Sequence, residues 1–251
     1  MDLGGFNEEN YARGPRRTRT GGAFGLRATG LSRDGAASFR LQDHHSKLDL
    51  RATFDAPRSC PASQQVDVFT PGDAASFEVK EIAENGNTQP LVDLLSAQAG
   101  VADVFAGEAP IVPRDRQDET GFEDTLTFTL EGGRAARYLS WESMLICTND
   151  GFTGLDGVAL PTRAGETVTF FTTGFDSGTE MNTEDFADIV LPCQGLIGVS
   201  SGEPGTGTSN PAIATDDVIE VHQGIVGGSD LLPEVHDWID PVAQVVVTAT
   251  R

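Results

Sequence analysis

Apolar and polar positions alternate in short stretches over most of this chain, and the pattern sharpens downstream of Val66. Leu126, Phe128 and Leu130 alternate with Thr127 and Thr129, and Val168 and Phe170 flank Thr169, so each stretch predicts a strand with one buried face. The same reading predicts strands at 101–105, 124–130, 138–147, 157–160, 166–172, 218–222 and 242–250, separated by Gly, Pro, Asp and Asn. Val66 to Phe69 is also strand-like. Two segments break the period of two. Phe77 to Glu84 has helical spacing and stops at Asn85-Gly86, and a second helix runs from a Thr88 N-cap through Leu91, Val92, Leu94 and Leu95 to a point before Gly100. The expected fold class is mainly β, an antiparallel β-sandwich with a short helical pair near residues 77–98.

Charge divides the chain differently. Residues 1–60 hold ten basic and seven acidic residues, whereas residues 61–251 hold seven basic and thirty-one acidic. The first segment is rich in Gly, Arg, Ser and Ala and shows little sustained periodicity. It is therefore expected to be an atypical, poorly ordered N-terminal piece, with the domain proper at 61–251. Arg16-Arg17 is not followed by an apolar, uncharged stretch, so no signal peptide is assigned. The Gly/Ser/Thr/Pro-rich stretch from Ser200 to Pro211 reads as a flexible loop.

A net charge of −21 with only two lysines, Lys47 and Lys80, repels phosphate backbones and anionic lipid surfaces. Nucleic-acid binding and membrane docking are disfavoured, and no apolar run is long enough to insert into a bilayer. Cations are favoured, and so acidic a surface fits a salt-tolerant or extracellular protein. Cys60, Cys147 and Cys193 have no CxxC spacing and allow at most one internal disulfide. Cys147 and Cys193 are the first pair to consider in an exported chain, while Cys147 alone also reads as a small buried hydrophobe. His222 and His236 lie fourteen residues apart without a matching third ligand, and Trp238 reads as a packing aromatic. No nucleophile elbow, phosphate loop or dinucleotide fingerprint occurs.

Two loops carry the candidate chemistry. Thr148-Asn149-Asp150-Gly151-Phe152 and Phe175-Asp176-Ser177-Gly178-Thr179-Glu180 each follow an apolar run and offer oxygens on a glycine-containing turn, as a hard cation requires. For a single acid the competing reading is a solvated turn residue. The series from Ser143-Met144-Leu145 through Asp150, Asp176 to Glu180, Val221-His222-Gln223-Gly224 and Asp237-Trp238-Ile239-Asp240-Pro241 resembles the spondin domain, the N-terminal domain of F-spondin and mindin, also found alone in many prokaryotic proteins. The resemblance covers residues 66–251. It implies a C2-like sandwich, a Ca2+ site with Asp150, Asp176 and Glu180 as metal ligands, and a non-enzymatic, secreted or cell-surface adhesion module. Its partner would be a cell-surface or matrix protein or a glycan. Glu131 falls near a further acidic ligand of one family member, and Asp156 is a weaker candidate better explained by a turn. A carbohydrate-binding module, or a glycoside hydrolase using the loop carboxylates as an acid/base pair, are the alternatives.

Overall fold

A computed structural model describes residues 36–43, 50–55, 66–112, 121–132, 136–191, 193–194 and 209–250. Arg16-Arg17, Cys60 and most of the expected flexible loop at 200–211 lie outside the described residues. The protein is mainly β, built on two antiparallel sheets and two helices of nine residues.

The strands are β1 (Ala36–Asp43), β2 (Leu50–Asp55), β3 (Val104–Ile111), β4 (Thr125–Glu131), β5 (Tyr138–Leu145), β6 (Gly151–Ala159), β7 (Thr167–Thr172), β8 (Gly174–Asp176), β9 (Glu220–Val221) and β10 (Ala243–Ala249). One sheet has the order β4-β1-β10-β7 and the other β3-β2-β5-β6-β8-β9. The expected boundary at residue 61 falls after two of these strands. Strand β1 pairs with both β4 and β10, and β2 pairs with both β3 and β5, so the expected boundary cuts away an interior strand of each sheet.

Alternation sets which face is buried. In β10, Ala243, Val245, Val247 and Ala249 are buried while the residues between them are only partly so, and in β4 Phe128 and Leu130 are buried between exposed threonines. From the other sheet, β5 contributes Leu139, Trp141 and Leu145, which join Phe128, Leu130, Ala243, Val245 and Val247 in one core. Phe105 of β3 stacks on Phe128 of β4 with ring centroids 4.3 Å apart, which links the two sheets directly. Burying several such side chains stabilises the fold by about 1.5–3 kcal/mol each.

Helix α1 (Phe77–Asn85) starts where the Ser76 hydroxyl accepts from the Val79 N–H at 3.3 Å, and ends at Gly86, whose φ of 61° suits glycine. It buries Val79, Ile82 and Ala83. Helix α2 (Gln89–Ala97) buries Leu91 and Leu95; Thr88 precedes it without a side-chain cap bond, contrary to expectation. A single-turn helix α3 (Pro233–His236) precedes β10. The expected strand over Val66 to Phe69 is absent; the Val68 N–H instead donates to Asp156 Oδ1 at 2.9 Å.

Cys147, just after β5, is joined to Cys193 by a disulfide, and both are fully buried. The closed loop contains β6, β7, β8 and all three expected metal ligands. No helix among the described residues is long and apolar enough to cross a membrane.

Candidate metal centre

Strand β5 runs into the turn that holds Asp150. The Thr148 hydroxyl closes this turn, donating to the Leu145 carbonyl at 2.5 Å and accepting from the Gly151 N–H at 2.9 Å. Strand β6 then pairs with β8 so that Gly151 lies opposite Asp176, which brings the two expected loops side by side.

Asp150 is fully buried. Its Oδ2 accepts from the Thr179 N–H at 2.7 Å, the Glu180 N–H at 2.9 Å and the Ser177 hydroxyl at 3.0 Å, while its carbonyl accepts from the Ser177 N–H at 3.1 Å. The 177–180 turn is thus wrapped around one carboxylate oxygen. The other, Oδ1, is buried and finds no donor among the described residues. Burial, and after it the nearby charge of Asp176, push the Asp150 carboxyl up to about 6 despite these hydrogen bonds.

Asp176 ends β8. Its Oδ1 accepts from the Gly178 N–H at 2.8 Å and its Oδ2 from the Asn182 side-chain amide at 2.5 Å. The first bond is ordinary turn chemistry, so the turn reading is correct locally without excluding a ligand role, because each oxygen keeps a second lone pair. Gly178 has φ 71°, and a Cβ there would sit 2.7 Å from the Val218 carbonyl oxygen, so this turn position requires glycine. Glu180 is 4 % exposed, and its Oε1 accepts from the Asn210 N–H at 2.6 Å. Burial first, then the charges of Glu84 and Asp150, push it up to about 7, against the pull of the Asn210 N–H and of Lys80.

The structure therefore brings Asp150 together with both Asp176 and Glu180. It does not gather three or more Asp, Glu, His or Cys side chains into a finished ligand cage among the described residues. The fit to a cation rests on donor chemistry: acids close enough that the charge of Asp176 raises Asp150 and that of Asp150 raises Glu180, and one buried oxygen with no hydrogen-bond donor among the described residues. Glu131 lies on exposed positions of β4 in the opposite sheet. Asp156 sits within β6, where its Oδ1 accepts from Val68 N–H and from the Ser140 hydroxyl at 3.0 Å; it is structural.

Sequence reading missed the supports of this site. Ser177 and Thr179 were legible only as turn residues. Glu184 adopts φ 56° and is 4 % exposed; its Oε1 and Oε2 accept from the Val226 and Gly228 N–H groups at 2.6 Å each, while the Asn149 side chain accepts from its own N–H at 3.3 Å. No local motif announces a carboxylate that ties the candidate loop to a segment more than forty residues away. His222, whose Nδ1 accepts from the Gly224 N–H at 3.0 Å, packs on Trp238 with ring centroids 5.0 Å apart.

Compared with models of known protein families and with curated proteins, the chain matches none.

Proposed function

We propose that this protein is a non-enzymatic, extracellular or cell-surface recognition module, a spondin-like sandwich in which Asp150, Asp176 and Glu180 hold a calcium ion at the loop end of the β5-β6-β8 sheet. The observation that carries the metal reading is the Asp150 carboxylate: fully buried, tied by one oxygen to the 177–180 turn, and left with an acceptor that no donor meets. A hard cation satisfies such an oxygen, and it offsets the repulsion between neighbouring acids. Calcium here would be structural, holding the two loops in one conformation beneath a binding surface. The Cys147–Cys193 disulfide supports an oxidising compartment, because such bonds persist outside the reducing cytosol. The burial of Asp150 and Glu180 counts against the glycosidase alternative, since a general acid must reach its glycosidic oxygen. The partner is proposed as a cell-surface or matrix protein or a glycan, on the resemblance alone.

Thermal unfolding tests the metal reading. At calcium one hundred times its dissociation constant, mass action adds about 2.7 kcal/mol, a rise of roughly 5–10 °C for a domain of this size. Asp176→Asn should remove most of that rise. Magnesium and high-salt controls separate the site from diffuse screening of an acidic surface. An equal calcium response in wild type and Asp176→Asn would withdraw the assignment.

A further inference from the structure

The last turn of α1 is as acidic and as buried as the loops it meets. Glu84 is 3 % exposed; its Oε1 faces Lys80 Nζ at 3.2 Å, and its Oε2 is buried without a donor among the described residues. The next residue, Asn85, buries an amide oxygen that likewise meets no donor. Both acceptors sit at the C-terminal end of a helix, where the backbone dipole is negative and no basic side chain occupies the last turn. Everything local to this end therefore favours a cation.

Two contacts bring that end to the centre. The Asn85 side-chain amide donates to the Ser209 hydroxyl at 3.0 Å, and the adjacent Asn210 N–H donates to Glu180 Oε1 at 2.6 Å, so a single two-residue segment bridges α1 to Glu180. Glu180 in turn donates its own N–H to Asp150. Lys80, one of two lysines in the chain, partly neutralises Glu84 from a position one turn away.

Building on the calcium reading above, we infer that Glu84 is a further acidic ligand of the same divalent-cation centre, so that the ion latches α1 onto the Asp150 and Glu180 loops. Lys80 is the tethered cation that neutralises Glu84 when the divalent ion is absent. Metal loading exchanges one positive charge for another, and the helix tightens as it does so.

Calorimetric titration of the full chain with calcium chloride, joined to hydrogen exchange over residues 77–85, tests this. Glu84→Gln keeps the shape and removes the charge; it should weaken calcium about tenfold or more and abolish calcium-induced protection of α1. Lys80→Met removes the competing ammonium and should strengthen calcium binding several-fold, which a merely structural Lys80–Glu84 pair would not do. If Asp150→Asn and Asp176→Asn lose calcium while Glu84→Gln and Lys80→Met bind it as wild type does, the latch is overturned and the centre stands. If none of the four variants alters binding, the centre and the latch both fall.

Discussion

Asp150 and Glu184 are two acids buried in neighbouring loops, and their surroundings differ in one respect. Glu184 closes onto the 226–228 segment with both oxygens: each accepts a backbone N–H at 2.6 Å. Asp150 gathers four donors on one oxygen and leaves the other bare. Burial alone therefore does not mark a functional carboxylate. A satisfied acid is a clamp, and its left-handed φ of 56° is a local cost that those hydrogen bonds hold in place. An acid with a buried, unmatched acceptor is incomplete, and on the proposed reading a cation completes it.

The largest expected effect acts on both regions together. The loop closed by Cys147 and Cys193 spans 46 residues and contains Asp150 and Glu184 alike. By chain entropy its loss costs about 4 kcal/mol. The double variant Cys147→Ser/Cys193→Ser should show that loss in denaturant unfolding, together with weakened calcium binding. Unchanged stability would mean that the two regions are held by packing alone.

A smaller effect separates them. Glu184→Gln turns one acceptor into a donor facing a backbone N–H, at a cost of about 2–3 kcal/mol, or roughly 5–10 °C in Tm. The drop should be the same with or without calcium. A calcium-dependent drop would erase the distinction between clamp and centre.

The remaining effect is a pH dependence carried chiefly by the centre. Asp150 and Glu180 are raised from ordinary values of 3.8 and 4.5 to about 6 and about 7. Between these limits the folded protein binds more protons than the unfolded chain, so metal-free stability falls as pH rises from about 4 to about 7, by on the order of a few kcal/mol. Saturating calcium should flatten or reverse this slope, because the ion binds the deprotonated acids. A metal-free protein that gains stability across the same window would contradict the geometry described for Asp150.

Strong periodicity made much of the fold legible. Strands β4, β7 and β10 and helix α1 lie within a residue or two of their expected bounds, since each combines regular alternation or helical spacing with a clear stop. Strand β3 was misjudged because Gly107 and Pro110 read as breakers, yet it is an edge strand, where proline is tolerated. Strand β6 starts six residues before its expected onset because Gly151, Gly154 and the Asp156-Gly157 pair imitate turns, and pairing with β5 overrides them. The interior strands β1 and β2 were missed although Leu50, Ala52 and Phe54 alternate with polar residues, because basic and glycine-rich surroundings masked so short a signal. At the site, the acids of the two loops could be read from the chain. Which of their oxygens lacks a donor is a property of packing, and so are the roles of Glu84 and Glu184.

Direct calcium titration at pH 7.5 of wild type, Asp150→Asn and Glu184→Gln bears most closely on the central claim. The account predicts that Asp150→Asn loses the binding isotherm while remaining folded, and that Glu184→Gln keeps wild-type affinity at lower stability. Wild-type calcium binding in Asp150→Asn, or no binding in the wild-type protein, would contradict it.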